Sequence, residues 1–213
     1  MIESGFNYSL GQLLYSSNPQ ESLMLLNKAF EQKYDYLELL HSYDRENEYQ
    51  CYRLMETYKL IETCQLKLGH NHSLYGNQNL YVEAIEKYNH GYLDDRYICN
   101  CIYNYAAYYL NQASGLEDSE VVELLNNASL YYDKVITYIS NLGDFEELYT
   151  DMRIMMIRSL FFKMVCLARL NQEDECGKIC NILLSIEPLL TEDDKEGEMV
   201  EYIMDMCNSM VQE

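Results

Sequence analysis

The chain has 213 residues, enough to bury about 70% of its unfolded surface as one domain or a short repeat array. Its 35 acidic and 15 basic side chains leave a formal charge of −20 and a pI near 4.4. No basic stripe offsets that charge, so nucleic acid and anionic membrane surfaces are excluded as expected partners. Two prolines and nine glycines argue against a loop-rich or sandwich fold, while a hydrophobic share of 48% makes the chain foldable.

The first residues, MIESGFNYSLGQLLYSS, carry no positive charge and no long apolar run, which is not the pattern of a secretory signal. No window reaches the run of about 18 apolar residues that a membrane helix needs. The eight cysteines stand mostly inside helical patterns and read as small buried hydrophobes, not as a disulfide framework. A reducing, cytoplasmic setting is the expectation.

In chain order, residues 8–30 read as a helical hairpin, with Pro19 suited to the first turn of its second helix. Residues 34–58 give a short helix around Tyr36, Leu39 and Leu40, a polar break at Asp44–Asn47, and a helix through Tyr58. No breaker precedes Lys59–Leu68, so residues 48–68 are either one long helix or the end of one and the start of another. A loop rich in Asn and Gly follows from Gly69, and Glu83–Asp95 is again helical. A further helix starts near Arg96. After the polar insertion 113–119, Ser119 suits the start of a helix running through Tyr138. Asn141–Asp144 is a break containing Gly143, and the next helix spans about Phe145–Leu170.

Residues 160–188 carry the clearest signal. Leu160, Met164 and Leu167 recur at helical spacing, Asn171–Asp174 interrupts, and Cys176, Cys180 and Leu183 resume the pattern until Pro188 ends it. Thr191 followed by Asp194 has the form of a capping box with Asp in place of Glu, opening a helix that carries Met199, Ile203, Met206 and Met210. The triple spaced by four and three residues recurs as Ser22/Leu26/Ala29, Cys51/Met55/Tyr58, Ala84/Tyr88/Gly91, Ala128/Tyr132/Val135 and Cys176/Cys180/Leu183. Ser22 to Cys51 is 29 residues and Cys51 to Ala84 is 33, then 44 to Ala128 and 48 to Cys176.

The stretch 160–188 resembles one tetratricopeptide repeat without a gap, its small and bulky packing positions falling at Cys176, Cys180 and Leu183 and its closing proline at Pro188. Leu10–Gly11 and Leu14 match the family's Leu-Gly and aromatic positions, whereas Lys163–Met164 departs from the Leu-Gly pair. Gly11 would let two helices approach closely. The resemblance implies an all-α, right-handed superhelix of about five hairpins, at about 6–31, 34–58, 60–92, 96–140 and 145–188, with a C-terminal capping helix at 192–212. It also implies a concave face lined by the first helix of each unit.

On that face the candidate binding residues are Tyr105, Tyr108, Arg158, Phe161, Val165 and Arg169. Tyr97, Tyr103, Tyr105, Tyr108 and Tyr109 are too many for one buried side of a helix. Either one of them faces a partner, or all fill gaps between helices. Arg158, Phe161, Val165 and Arg169 form a stripe offset from the core stripe. Its two arginines either anchor a partner carboxylate or pair with nearby Asp and Glu.

His70 and His72 are half of a zinc site with nothing near in sequence to complete it, and Cys99/Cys101 point to different helix faces. No phosphate loop, dinucleotide fingerprint, HExxH or Gly-x-Ser-x-Gly elbow is present. These residues point away from an enzyme, a cofactor or a metal. They point toward a protein-binding module (an adaptor, chaperone or regulatory subunit) that docks a peptide or helix of a basic partner. The rivals are an acidic inhibitor or immunity-type protein that masks a basic enzyme surface, and a structural subunit of a larger complex.

Overall fold

The computed structural model describes residues 2–43, 48–68, 78–114, 119–195 and 198–212. All its regular elements are helical: α1 (Ile2–Leu14), α2 (Pro19–His41), α3 (Glu48–Leu68), α4 (Gln78–Tyr88), α5 (Asp95–Ala113), α6 (Ser119–Ser140), α7 (Thr150–Arg169), α8 (Glu173–Ile186), α9 (Glu192–Lys195) and α10 (Glu198–Gln212), with short 3-10 turns at Phe145–Glu147 and Glu187–Leu189. The all-α expectation is met. Among the described residues no helix is long and apolar enough to cross a membrane. The chain divides into two compact units, Met1–Asn104 and Tyr105–Glu213, the division falling within α5.

In the first unit, Asn18 caps α2 through its side-chain oxygen, which accepts the Glu21 amide at 3.3 Å, and Pro19 occupies the first turn as expected. Two anticipated breaks are absent. α2 continues to His41 because Glu31–Gln32–Lys33 contains no breaker, and α3 is one helix from Glu48 to Leu68 for the same reason. The expected unit boundaries near 31–34 and 58–60 therefore fall inside continuous helices. The helix expected over Glu83–Asp95 stops at Tyr88, where His90 and Gly91 take positive φ values of 40° and 82°. The Leu93 amide bonds the Asn89 side chain at 2.6 Å, and the Tyr97 amide bonds Asp94 at 3.2 Å as α5 begins.

Helices α1 and α2 approach closely at Gly11. A Cβ there would lie 2.9 Å from Leu26 Cγ and 3.4 Å from the Ser22 carbonyl oxygen, while Ser22 Oγ donates to the Gly11 carbonyl at 2.7 Å. Further along, Phe30, Tyr58 and Tyr81 meet edge to face, with Phe30–Tyr81 centroids 5.0 Å apart, which joins α2, α3 and α4. The anchor triples of the sequence are buried on their helices, except that Gly91 stands exposed in the turn after α4.

In the second unit one apolar cluster draws Ile157, Leu160, Met164 and Leu167 from α7, Ile179 and Leu183 from α8, and Val200, Ile203 and Cys207 from α10. The predicted α7 stripe is thus core. Asn171, at φ 57°, makes the tight turn into α8, and Pro188 lies in the 3-10 turn that follows it. On α10 the buried stripe is Val200, Ile203, Met204 and Cys207; of the predicted set only Ile203 is buried, Met199 and Met206 are half-buried, and Met210 is exposed. The difference is a rotation of the helix that seats its smaller side chains against α8. Residues 196–197, inside the expected 192–212 helix, lie outside the described residues.

A buried ion pair ties the segment after α8 to the start of α7. Arg153 Nε lies 3.0 Å from Asp194 Oδ1, and its other nitrogens donate to the Leu148 carbonyl at 2.5 Å, to Thr150 and to Thr191. Asp194 Oδ2 accepts both the amide and the hydroxyl of Thr191 at 2.8 Å. Of the capping box read from Thr191 and Asp194, the half in which the carboxylate accepts the Thr191 amide is present, while the Thr191 hydroxyl bonds that carboxylate and the Asp194 amide goes to the Thr191 carbonyl; Arg153 is added to the pair.

Gly11→Ala tests the helix approach. Alanine gains about 1 kcal/mol of helix propensity over glycine. The new methyl meets Leu26, which has no exposed surface to move into, so overpacking of about 1–3 kcal/mol dominates. The expected outcome is a lower thermal midpoint in differential scanning calorimetry. An unchanged or raised midpoint contradicts it.

Candidate functional site

All six candidate residues belong to the second unit, where they form two groups. The first is aromatic. Tyr105 is buried at 4% exposure and Tyr108 half-buried, with their rings stacked at 6.4 Å. Tyr105 and Tyr109 share a hydrogen bond between hydroxyls at 2.7 Å, and Tyr131 of α6 meets the Tyr105 ring edge-on at 4.5 Å. Four tyrosines thus pack on one another between α5 and α6. Burial pushes the Tyr105 hydroxyl far above its ordinary range, helped by its bond to Tyr109, so it stays neutral.

The second group lies on α7. Phe161 is 8% exposed and sits in the apolar cluster, with Val165 half-buried against that cluster. Phe161 meets Phe162 at 5.3 Å and Tyr202 of α10 at 6.5 Å, while Phe162 stacks on Tyr132 at 5.8 Å. Tyr131 and Tyr132 are about 100° apart around α6. The Tyr105 group and the Phe161 group therefore touch different sides of that helix. They are not brought together into one patch.

The arginines divide. Arg169 donates to the Ala113 carbonyl at 2.8 Å, satisfying the last turn of α5. Arg158, half-buried and one turn before Phe161, has an Nε shielded from solvent with no hydrogen-bond partner. Neither arginine forms an ion pair among the described residues. Tyr202, beside Phe161, is 62% exposed. It did not figure among the predicted site residues because its position on α10 faces away from that helix's apolar stripe.

Two buried ionisable groups were also missed, both in the first unit. Lys33 Nζ donates to Thr57 Oγ1 at 2.6 Å and lies 4.0 Å over the Tyr8 ring; burial lowers its pKa to about 7. Glu62 is 2% exposed, with Oε1 accepting from Asn100 at 2.8 Å and Oε2 unpartnered. Burial raises its pKa to about 7 against the opposing pull of Asn100 and Arg96. Helical spacing carried the signal: Lys33 continues the Ser22/Leu26/Ala29 stripe and Glu62 continues Cys51/Met55/Tyr58, each four residues on. All eight cysteines are buried and free, as read from the sequence. Burial pushes the Cys99 and Cys166 thiols up to about 12, which keeps them protonated and unreactive.

Among the described residues no group of three or more His, Cys, Asp or Glu is placed to hold a metal ion; His70 and His72 lie outside those residues. Comparison with family models, with curated proteins and with solved structures finds no match.

Glu62 gives a pH prediction. Folded Glu62 keeps its proton up to about pH 7, whereas the ordinary carboxyl loses it near 4.5. The native state then binds more protons across that window, so this contribution to stability is complete below about pH 4.5 and is lost as pH rises through about 7. Urea unfolding at several pH values should show wild type losing on the order of 2 kcal/mol relative to Glu62→Gln across the window. Parallel curves for the two proteins contradict the assignment.

Proposed function

We propose that the chain is a non-enzymatic, cytoplasmic protein-binding module of tetratricopeptide-repeat kind, serving as an adaptor, chaperone or regulatory subunit. It docks a segment of a basic partner on the α7 face around Arg158, Phe161 and Val165, beside Tyr202. The observation that carries this reading is Arg158. An unsatisfied buried donor costs about 1–3 kcal/mol, and in a chain with 35 acidic side chains this arginine nevertheless has no carboxylate partner among the described residues. Nε itself is closed to solvent, but the half-buried guanidinium has further donors that an acceptor from a partner, a backbone carbonyl or a chain-terminal carboxylate, would meet. Tyr202 offers an exposed ring with a hydroxyl beside it, a combination common at binding hot spots. The field of −20 charges speeds the encounter with a basic protein. The buried anchor triples support the repeat reading, and eight free thiols support a reducing compartment.

A second reading, the structural subunit, is favoured by α1. Phe6 and Leu13, seven residues apart on one helix face, are 64% and 77% exposed.

Affinity capture from the native lysate, eluted in salt steps, tests both. A stoichiometric basic partner that leaves at moderate salt and is lost with Arg158→Ala or Tyr202→Ala supports the docking face. Partners that resist salt and are lost only with Leu13→Glu support the structural subunit. Recovery of no partner, or of the same partners from every variant, contradicts the docking face.

A further inference from the structure

Lys33 of α2 is held as an amine and not as one half of an ion pair. Its side chain is 8% exposed, and Nζ meets residues of both α1 and α3. Two acceptors face it, the Thr57 hydroxyl at 2.6 Å and the Arg53 carbonyl at 3.4 Å, one for each hydrogen of a neutral amine. The Thr57 hydroxyl is itself fixed, donating to that same carbonyl at 2.7 Å. Nζ also lies 4.0 Å over the Tyr8 ring, and the half-buried Arg53 guanidinium lies 4.4 Å from the centre of that ring. Two cations thus share one ring, and neither forms an ion pair among the described residues. Glu56, one turn beyond Arg53, is taken by Lys59 at 3.1 Å. Burial, with the Arg53 charge added, lowers the Lys33 pKa to about 7, so much of the amine is unprotonated near neutrality.

We propose that Lys33 is a modification site for carbon dioxide, which its amine binds reversibly as a carbamate beside Arg53. The nitrogen lone pair attacks the carbon, a C–N bond forms, and one C=O electron pair moves onto oxygen. The nitrogen then gives a proton to the solvent buffer. The product is –NH–COO⁻, and no oxidant or reductant takes part. The remaining N–H stays on Thr57, and the new carboxylate pairs with the Arg53 guanidinium. Two repelling cations are thereby replaced by an ion pair, of the kind that Arg153 and Asp194 make in the second unit. Charge and size select the ligand. A free anion is repelled by the field of −20 charges, whereas carbon dioxide is neutral, apolar and small enough to reach an amine largely closed to solvent.

Carbon-13 NMR of the full chain, equilibrated with labelled bicarbonate, provides the test. The chain's α-amino group also forms a carbamate, whereas ordinary lysines stay charged near neutrality and form little. The expected spectrum therefore has a second carbamate resonance beside that of the α-amine. It should grow as pH rises through about 7 at constant dissolved carbon dioxide. Lys33→Met, which keeps the length and removes the buried amine, should abolish it. Lys28→Met, exposed on the same helix, should leave it unchanged. Arg53→Gln should lower the occupancy about tenfold by removing the counter-ion, and it reads the site even where Lys33→Met fails to fold. Trapping with a trialkyloxonium salt, followed by peptide mass spectrometry, should place the carboxyl group on Lys33 in the wild-type chain. A single resonance in wild type, a second one that survives Lys33→Met, full occupancy in Arg53→Gln, or trapping only at other amines overturns the proposal.

Discussion

The buried pair Arg153–Asp194 is the constraint on which the second unit depends. Asp194 has no exposed surface and Arg153 almost none, and two charges withdrawn from water are costly unless every donor and acceptor is met. Here they are met. The guanidinium reaches Asp194, the Leu148 carbonyl and two threonine hydroxyls, and the carboxylate takes the Thr191 amide as well. Burial alone would raise the Asp194 pKa, but the bonds from Arg153 and Thr191 outweigh it and hold the carboxyl below its ordinary range. The consequence is positional. The segment entering α9 is fastened to the first turns of α7, and α10 is then laid along α7 and α8 to complete their apolar cluster. The contact between Phe161 and Tyr202 exists because that placement exists.

The two units solve the problem of buried polarity differently. In the second, opposite charges meet. In the first, Lys33 and Glu62 are each buried with no ion pair among the described residues, Lys33 on a threonine hydroxyl and an aromatic face, Glu62 on an amide. Burial pushes one pKa down and the other up, both to about 7, so each is drawn toward its neutral form. Such groups weaken a helical core relative to apolar residues of the same size. Their pH windows also oppose each other, since the Glu62 contribution is lost as pH rises to about 7 and the Lys33 contribution is lost as pH falls through it.

Much of the fold was legible because helical spacing is a strong local signal. Four of the five anchor triples, Gly11, Pro19, the hinge at Asn171 and the stop at Pro188 depend on a few neighbouring residues, and each appears where the residues place it. Boundaries at 31–34 and 58–60 were not legible in this way: a repeat period suggests a break that local chemistry does not supply, and without Gly or Pro the helices run on. The end of α4 shows the reverse, since Asn89–Gly91 leaves the helix inside a run that looks periodic. The candidate site was legible in its parts only. Phe161 was placed on the docking stripe, yet it contributes mainly to the core, because whether a residue beside a core stripe is covered depends on α10, distant in sequence. Arg153 carried no local mark at all, and its partner lies 41 residues away.

The central claim is that the Arg153–Asp194 pair positions α10 against α7 and thereby builds the docking surface. Hydrogen exchange of the full chain, wild type against Asp194→Asn, tests it most directly. The account predicts faster exchange throughout α10 and the first turns of α7 in the variant, with α1, α2 and α3 unchanged. Equal protection of α10 in the two proteins would contradict it.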